Sequence, residues 1–145
     1  GGHAEALRTL HELLGMELLT MLMKDGISCA HLAAQGGHVE ALRFLCEVGG
    51  KELLMMVTQD GQTCAHAAAG GGHVEALRVL YEVGGKELLL MVMEDGRTCA
   101  HLSATSGHVE ALRFLVQACG REVLTVVDKG GSSVLSFGIR HSEVR

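Results

Sequence analysis

Asp25, Asp60 and Asp95 each open the same run of residues, and they stand 35 positions apart. The middle copy reads Asp60-Gly-Gln-Thr-Cys-Ala-His-Ala-Ala-Ala-Gly-Gly-Gly-His-Val-Glu-Ala-Leu-Arg and ends at Arg78; its neighbours end at Arg43 and Arg113 with no insertion or deletion. A fixed period of roughly 20–50 residues is the signature of stacked repeats, in which each unit covers its apolar face only against its neighbours. The expected core is a line running through the stack. This constraint outranks any motif read in isolation.

Within each period two helices are expected. Ser28, Thr63 and Thr98 stand where an N-cap hydroxyl can accept the orphan N–H groups of a first helical turn. The run Cys-Ala-His-x-Ala/Ser-Ala follows, and alanines such as Ala30, Ala33 and Ala34 let this helix A approach its neighbours closely. Gly36-Gly37, Gly71-Gly72 and Ser106-Gly107 then break it. Helix B shows apolar residues at helical spacing: Ala41, Leu42, Leu45 and Val48, then Ala76, Leu77, Leu80 and Val83, then Ala111, Leu112, Leu115 and Ala118. The same register occurs near the start of the chain at Ala6, Leu7, Leu10, Leu13 and Leu14. Glu40 with Arg43, Glu75 with Arg78, and Glu110 with Arg113 form i,i+3 pairs on a solvated face.

After helix B a double glycine (Gly49-Gly50, Gly84-Gly85) stops the helix, and an apolar connector follows. It is expected to make a turn of helix and then an extended arm. Asp-Gly at 25–26, 60–61 and 95–96 closes each connector as a hairpin-like finger. Met21, Met23, Met55, Met56, Met91 and Met93 recur in these connectors and are expected to pack between repeats. The fold class is all-α, a solenoid of helix-turn-helix units. The expected layout is a half repeat at 1–24, full repeats at 25–59, 60–94 and 95–129, and a degenerate half repeat at 130–145.

Composition narrows the function classes. A net charge of −5, a pI near 6.0 and 3% aromatic residues leave neither a basic footprint nor base-stacking side chains for nucleic acid. Mean hydropathy is +0.27, yet the longest wholly apolar run, Leu88 to Met93, is far short of the roughly 20 residues that span a bilayer. Neither a nucleic-acid nor a membrane partner is expected. Cys29, Cys46, Cys64, Cys99 and Cys119 are odd in number, and three share one repeat position. That pattern suggests reduced thiols in the cytoplasm or nucleus.

The Cys-x-His pairs at 29/31, 64/66 and 99/101 invite a zinc reading. Residues two apart on a helix point about 200° apart. Equivalent residues of packed helices lie about 8–10 Å apart, against ligand distances of about 2.0–2.3 Å. No metal site, cofactor or catalytic residue is assigned: the chain offers no nucleophile–base constellation, no phosphate loop after a strand, and no paired carboxylates on one face.

The repeated Asp-Gly-x-Ser/Thr-Cys-Ala-His-x-Ala/Ser-Ala run, followed by Gly-His-x-Glu, resembles the ankyrin repeat. That family's pattern is Gly-x-Thr-Pro-Leu-His-x-Ala-Ala, then Gly-His, then a second helix. Cys29, Cys64 and Cys99 stand where the family favours Pro, and Ala30, Ala65 and Ala100 where it favours Leu. The period of 35 exceeds the family's usual length of about 33, and the extra residues fall in the Gly-Gly-Lys-Glu-Leu-Leu connector. The resemblance implies hydrogen-bonded pairs of Thr63 with His66 and Thr98 with His101, with Ser28 and His31 the weaker version. It implies that His38, His73 and His108 start helices.

It further implies a non-catalytic interaction module whose concave groove receives a protein or peptide. The positions that vary between otherwise near-identical repeats are the candidates for contact: Ile27, Gln62 and Arg97 in the fingers, Lys24, Gln59 and Glu94 just before the turns, and Gln35, Thr105 and Ser106 at helix A ends. A monomer is expected. The competing expectation is head-to-tail self-association through the two incomplete end repeats. The near-identity of the repeats fits recent duplication or design.

Overall fold

A computed structural model describes residues 27–134, together with Glu5 and Thr9. Among the described residues there are six α-helices and no strand. Three short inner helices, α1 (Cys29–Gln35), α3 (Cys64–Gly70) and α5 (Cys99–Thr105), alternate with three longer ones, α2 (Val39–Leu54), α4 (Val74–Leu89) and α6 (Val109–Cys119); a 3-10 turn, Arg121–Leu124, follows α6. α1 packs on α3 and α3 on α5, while α2 packs on α4 and α4 on α6, so two rows of helices lie side by side. The architecture is the expected all-α solenoid.

Each inner helix starts at a hydroxyl held in extended backbone, as at Thr63 (φ −94°, ψ 171°). Thr63 Oγ1 accepts from the His66 amide at 3.3 Å, and the Thr63 amide donates to His66 Nδ1 at 3.1 Å. This is a capping box with histidine in the place usually taken by Glu or Gln. Thr98 with His101 repeats it. Ser28 with His31 does so with a longer cap bond, 3.5 Å against 3.3 Å, and a slightly longer amide–Nδ1 bond, 3.2 Å against 3.1 Å, at the same 2.9 Å hydroxyl–Nδ1 distance.

The inner helices end alike. The His73 amide donates to Ala68 O (3.0 Å) and the Gly72 amide to Ala69 O (3.2 Å), which is the bond pair of a Schellman motif with Gly72 left-handed at φ 73°. The chain thereby reverses into α4 within three residues.

α2 and α4 are each two helices joined across a glycine: Gly85 has φ 69° and ψ −169°, far from helical values, and Gly50 matches it. The double glycine does stop the helix, and the connector then adds one more helical turn before leaving as an arm.

Burial explains the residue choice. Ala30, Ala34, Ala65, Ala68 and Ala69 are fully buried where inner helices meet, and Leu42, Leu45, Leu77, Leu80, Leu88 and Leu115 fill the space toward the outer row. Met55, Met56 and Met91 pack partly buried against that core. Ser103 stands where the other repeats have Ala33 and Ala68, and its buried hydroxyl donates to Ala69 O across the repeat boundary (3.1 Å). Val83 departs from the expected buried stripe: it is 37% exposed, because cover ends on the last turn before the Gly85 break. No helix among the described residues is long and apolar enough to cross a membrane.

Candidate partner-binding surface

The fingers are built from main-chain bonds. The Thr58 amide donates to Gln62 O, Met93 to Arg97 O, and Asp128 to Ser132 O, at 2.9–3.0 Å. Aspartate side chains stiffen the turns. Thr58 Oγ1 donates to Asp60, the Arg97 amide donates to Asp95 Oδ1 (3.1 Å), and Gly130 and Ser132 amides both donate to Asp128 Oδ1 (2.9 Å). Those two amides, the Ser132 amide foremost, hold the Asp128 carboxyl below its ordinary range, with smaller help from His101 and Arg97. Adjacent fingers are joined through the backbone: the Glu94 amide donates to Asp60 O and the Lys129 amide to Asp95 O, both 2.8 Å.

Each finger is also clamped to the preceding repeat by a buried histidine. Nε2 of His31 bonds Gln62 O (2.9 Å), that of His66 bonds Arg97 O (3.3 Å), and that of His101 bonds Ser132 O (3.0 Å). The carbonyls of Gln62 and Arg97 thus serve the scaffold. The histidines at the helix B starts do a related job: His73 Nε2 donates to Gln35 O at 3.0 Å and its ring lies against Gly37, as the His108 ring lies against Gly72. Neither His38, His73 nor His108 caps its helix with its side chain.

Gln35, Gln59, Glu94, Thr105 and Ser106 are exposed, whereas Ile27, Gln62 and Arg97 are half-buried. The finger-to-finger bonds bring Gln59 and Gln62 beside Glu94 and Arg97. Thr105 is partly engaged already, its hydroxyl donating to His101 O one turn back (2.8 Å). Gln35, Thr105 and Ser106 form a separate group at the ends of α1 and α5. Lys24 lies outside the described residues, and so do the end halves, apart from Glu5, Thr9 and residues 130–134.

Sequence reading missed one row. Val57, Val92 and Val127 occupy one repeat position on the finger arms and are 41%, 51% and 57% exposed. They add an apolar line beside the polar tips.

Burial disfavours the thiolate form of all five cysteines. Burial pushes Cys64 up to about 12 and Cys46 up to about 11, and raises Cys99 further. At Cys64 the backbone N–H groups of the helix start pull the other way but lose to desolvation. Among the described residues no three His, Cys, Asp or Glu side chains come together as a metal site. On the outer row Arg78 bonds Glu75 (3.4 Å) and also lies over the Phe114 ring of the next repeat, 5.3 Å from its centroid. That charged face therefore packs as well as solvates.

A family model described as "Ankyrin repeats (3 copies)" matches residues 1–88 and 50–127. Comparison with curated proteins gave no match. Proteins built of ankyrin repeats are generally protein–protein interaction modules and are typically non-catalytic. The 35-residue period, the histidine capping boxes, the two helix rows and the family match converge on one assignment: the chain belongs to the ankyrin-repeat family.

Proposed function

We propose that this chain is a non-catalytic scaffold that binds a protein or peptide through its finger tips and inner-helix ends. The residues assigned to contact are Lys24, Ile27, Gln35, Gln59, Gln62, Glu94, Arg97, Thr105 and Ser106, joined by the exposed Val57, Val92 and Val127. One observation carries the reading. The fingers spend their main-chain groups on the histidine clamps and on each other, while side chains of non-repeating identity stand at their tips. Such a surface can change its chemistry without changing its shape.

A strip holding glutamine, glutamate, arginine and valine suits a mixed polar and apolar polypeptide surface. With five free thiols, the setting we assign is the reducing cytoplasm or nucleus. We take the chain as a monomer, its units running 25–59, 60–94 and 95–129 between end halves at 1–24 and 130–145.

The test is Arg97→Glu. A partner is first captured on the immobilised chain, and its affinity for both proteins is then measured by calorimetry. Affinity is expected to fall by about tenfold or more, the scale of one lost charged contact at an interface, with far-ultraviolet circular dichroism unchanged. Equal affinity would remove Arg97 from the site.

A further inference from the structure

Exposure alternates along the finger arms. Val57, Val92 and Val127 are exposed, Thr58, Met93 and Asp128 are buried or half-buried, and Gln59, Glu94 and Lys129 are exposed again. Residues two apart on an extended arm share a side. The three arms therefore present one constant apolar line and, beside it, a line that reads glutamine, glutamate, lysine. Neither Glu94 nor Lys129 forms an ion pair among the described residues.

Main-chain bonds set the spacing of both lines. Each finger is two chain passes joined by N–H···O bonds, and each finger bonds the next in the same way. Passes joined so lie about 4.7–4.9 Å apart, which puts equivalent residues of successive fingers about 9.5 Å apart. One turn of a polyproline II helix takes three residues and rises about 9.3 Å. A β-strand repeats its face every ~6.7 Å. An α-helix returns to one face after seven residues, about 10.5 Å, and slips by ~2 Å over the three valines. A strand would also need free main-chain partners. The carbonyls of Asp60, Gln62, Asp95 and Arg97 are already taken by neighbouring amides and histidine clamps. A polyproline II backbone is satisfied by water.

We propose that the finger row binds an extended polypeptide in the polyproline II conformation, with an apolar residue at every third position, a basic residue opposite Glu94 and an acidic one opposite Lys129. The valines cover the apolar residues. The charged line fixes register and direction, because a reversed or shifted segment would set like charges together. This binding mode rests on the proposed scaffold function, and it adds Lys129 to the contact surface.

The probe is a displayed library of random peptides of about 12 residues, enough to pass all three valines at ~3.1 Å per residue. It is selected on the immobilised full chain, and enriched sequences are synthesised for fluorescence anisotropy. They are expected to space apolar residues three apart, with a basic residue beside the central one. Val92→Ser should weaken such a peptide about tenfold, the scale of one buried apolar side chain; Val127→Ser takes its place should Val92→Ser not fold. Glu94→Lys should weaken it by a similar factor, and exchanging the peptide's basic residue for glutamate should restore the affinity. The binding mode is overturned if apolar residues recur at helical or alternating spacing, if no sequence is enriched, if the valine variants bind unchanged, or if the charge exchange restores nothing. Binders of another spacing that still weaken with Arg97→Glu would leave the contact strip standing without this mode. Binders indifferent to Arg97→Glu as well would remove both.

Discussion

Gly72 answers to two neighbours at once. Its φ of 73° is the left-handed value that the Schellman turn requires, and a Cβ placed on it would sit 2.5 Å from His108 Nδ1. Gly72→Ala should therefore combine the left-handed penalty of about 1–2 kcal/mol with displacement of the ring. A loss of roughly 2–3 kcal/mol is expected from urea unfolding, and a loss below ~0.5 kcal/mol would show that the ring is not held there. His66 provides a second test at this scale. Its native state refuses a proton that the unfolded chain accepts below 6.5, so stability is full above that pH and falls on acidification toward about 4. The loss is at most roughly 3 kcal/mol for that shift. Urea midpoints that stay level between neutral pH and 4 would contradict it. The threonine–histidine pairs were legible only through the resemblance to the ankyrin repeat, whose motif sets a Thr three residues before a His. The histidine's other nitrogen was not, since its acceptor lies 31 residues away.

At the scale of one element, α4 and α6 solve the same corner with different residues. A Cβ on Gly84 would fall 2.6 Å from Leu88 Cδ2, whereas the equivalent pair in the next repeat is Cys119 with the shorter Val123, both buried. Gly85 and Gly120 are both glycine because both need positive φ, 69° and 92°. Gly84→Ala alone is expected to cost about 1–3 kcal/mol by overpacking. Leu88→Val alone should cost ~1 kcal/mol. The double variant should cost less than their sum, by at least ~0.5 kcal/mol in a double-mutant cycle. Strict additivity would mean that the two positions do not compete for space. Sequence periodicity found both helix rows here because alanine and leucine recur in step. It failed in the connector: Leu88 to Met93 is uniformly apolar and points nowhere. Only the change from helix to extended arm turns Val92 out between the half-buried Met91 and Met93.

For the molecule as a whole, stability is a sum over neighbours, and the inner helix row is where that sum is most exposed to insult. Ala68 is fully buried on α3, which meets both α1 and α5. Ala68→Leu should lower the thermal midpoint through overpacking of about 1–3 kcal/mol; a midpoint equal to the parent's would refute the close approach of these helices. By contrast Lys51 and Glu87, 2.7 Å apart but exposed to solvent, join two connectors, and Lys51→Ala is expected to leave the thermal midpoint close to the parent's. The candidate contact strip was legible only as a list of variable positions. Their grouping depends on the finger-to-finger backbone bonds, which leave no trace in side-chain identity.

Among the described residues those bonds join the fingers at Asp60 with Glu94 and at Asp95 with Lys129, and the histidine clamps recur in the same register at His31, His66 and His101. Excision of residues 60–94 would thus leave His31 facing Arg97 O and Ala34 O facing the Ser103 hydroxyl, the same contacts with new owners. A gene encoding such a chain can lose or duplicate 35 codons in frame and still specify matching surfaces. Crossovers at this interval are the lesions the fold absorbs best, and the length of the stack is free to change between generations while its seams do not.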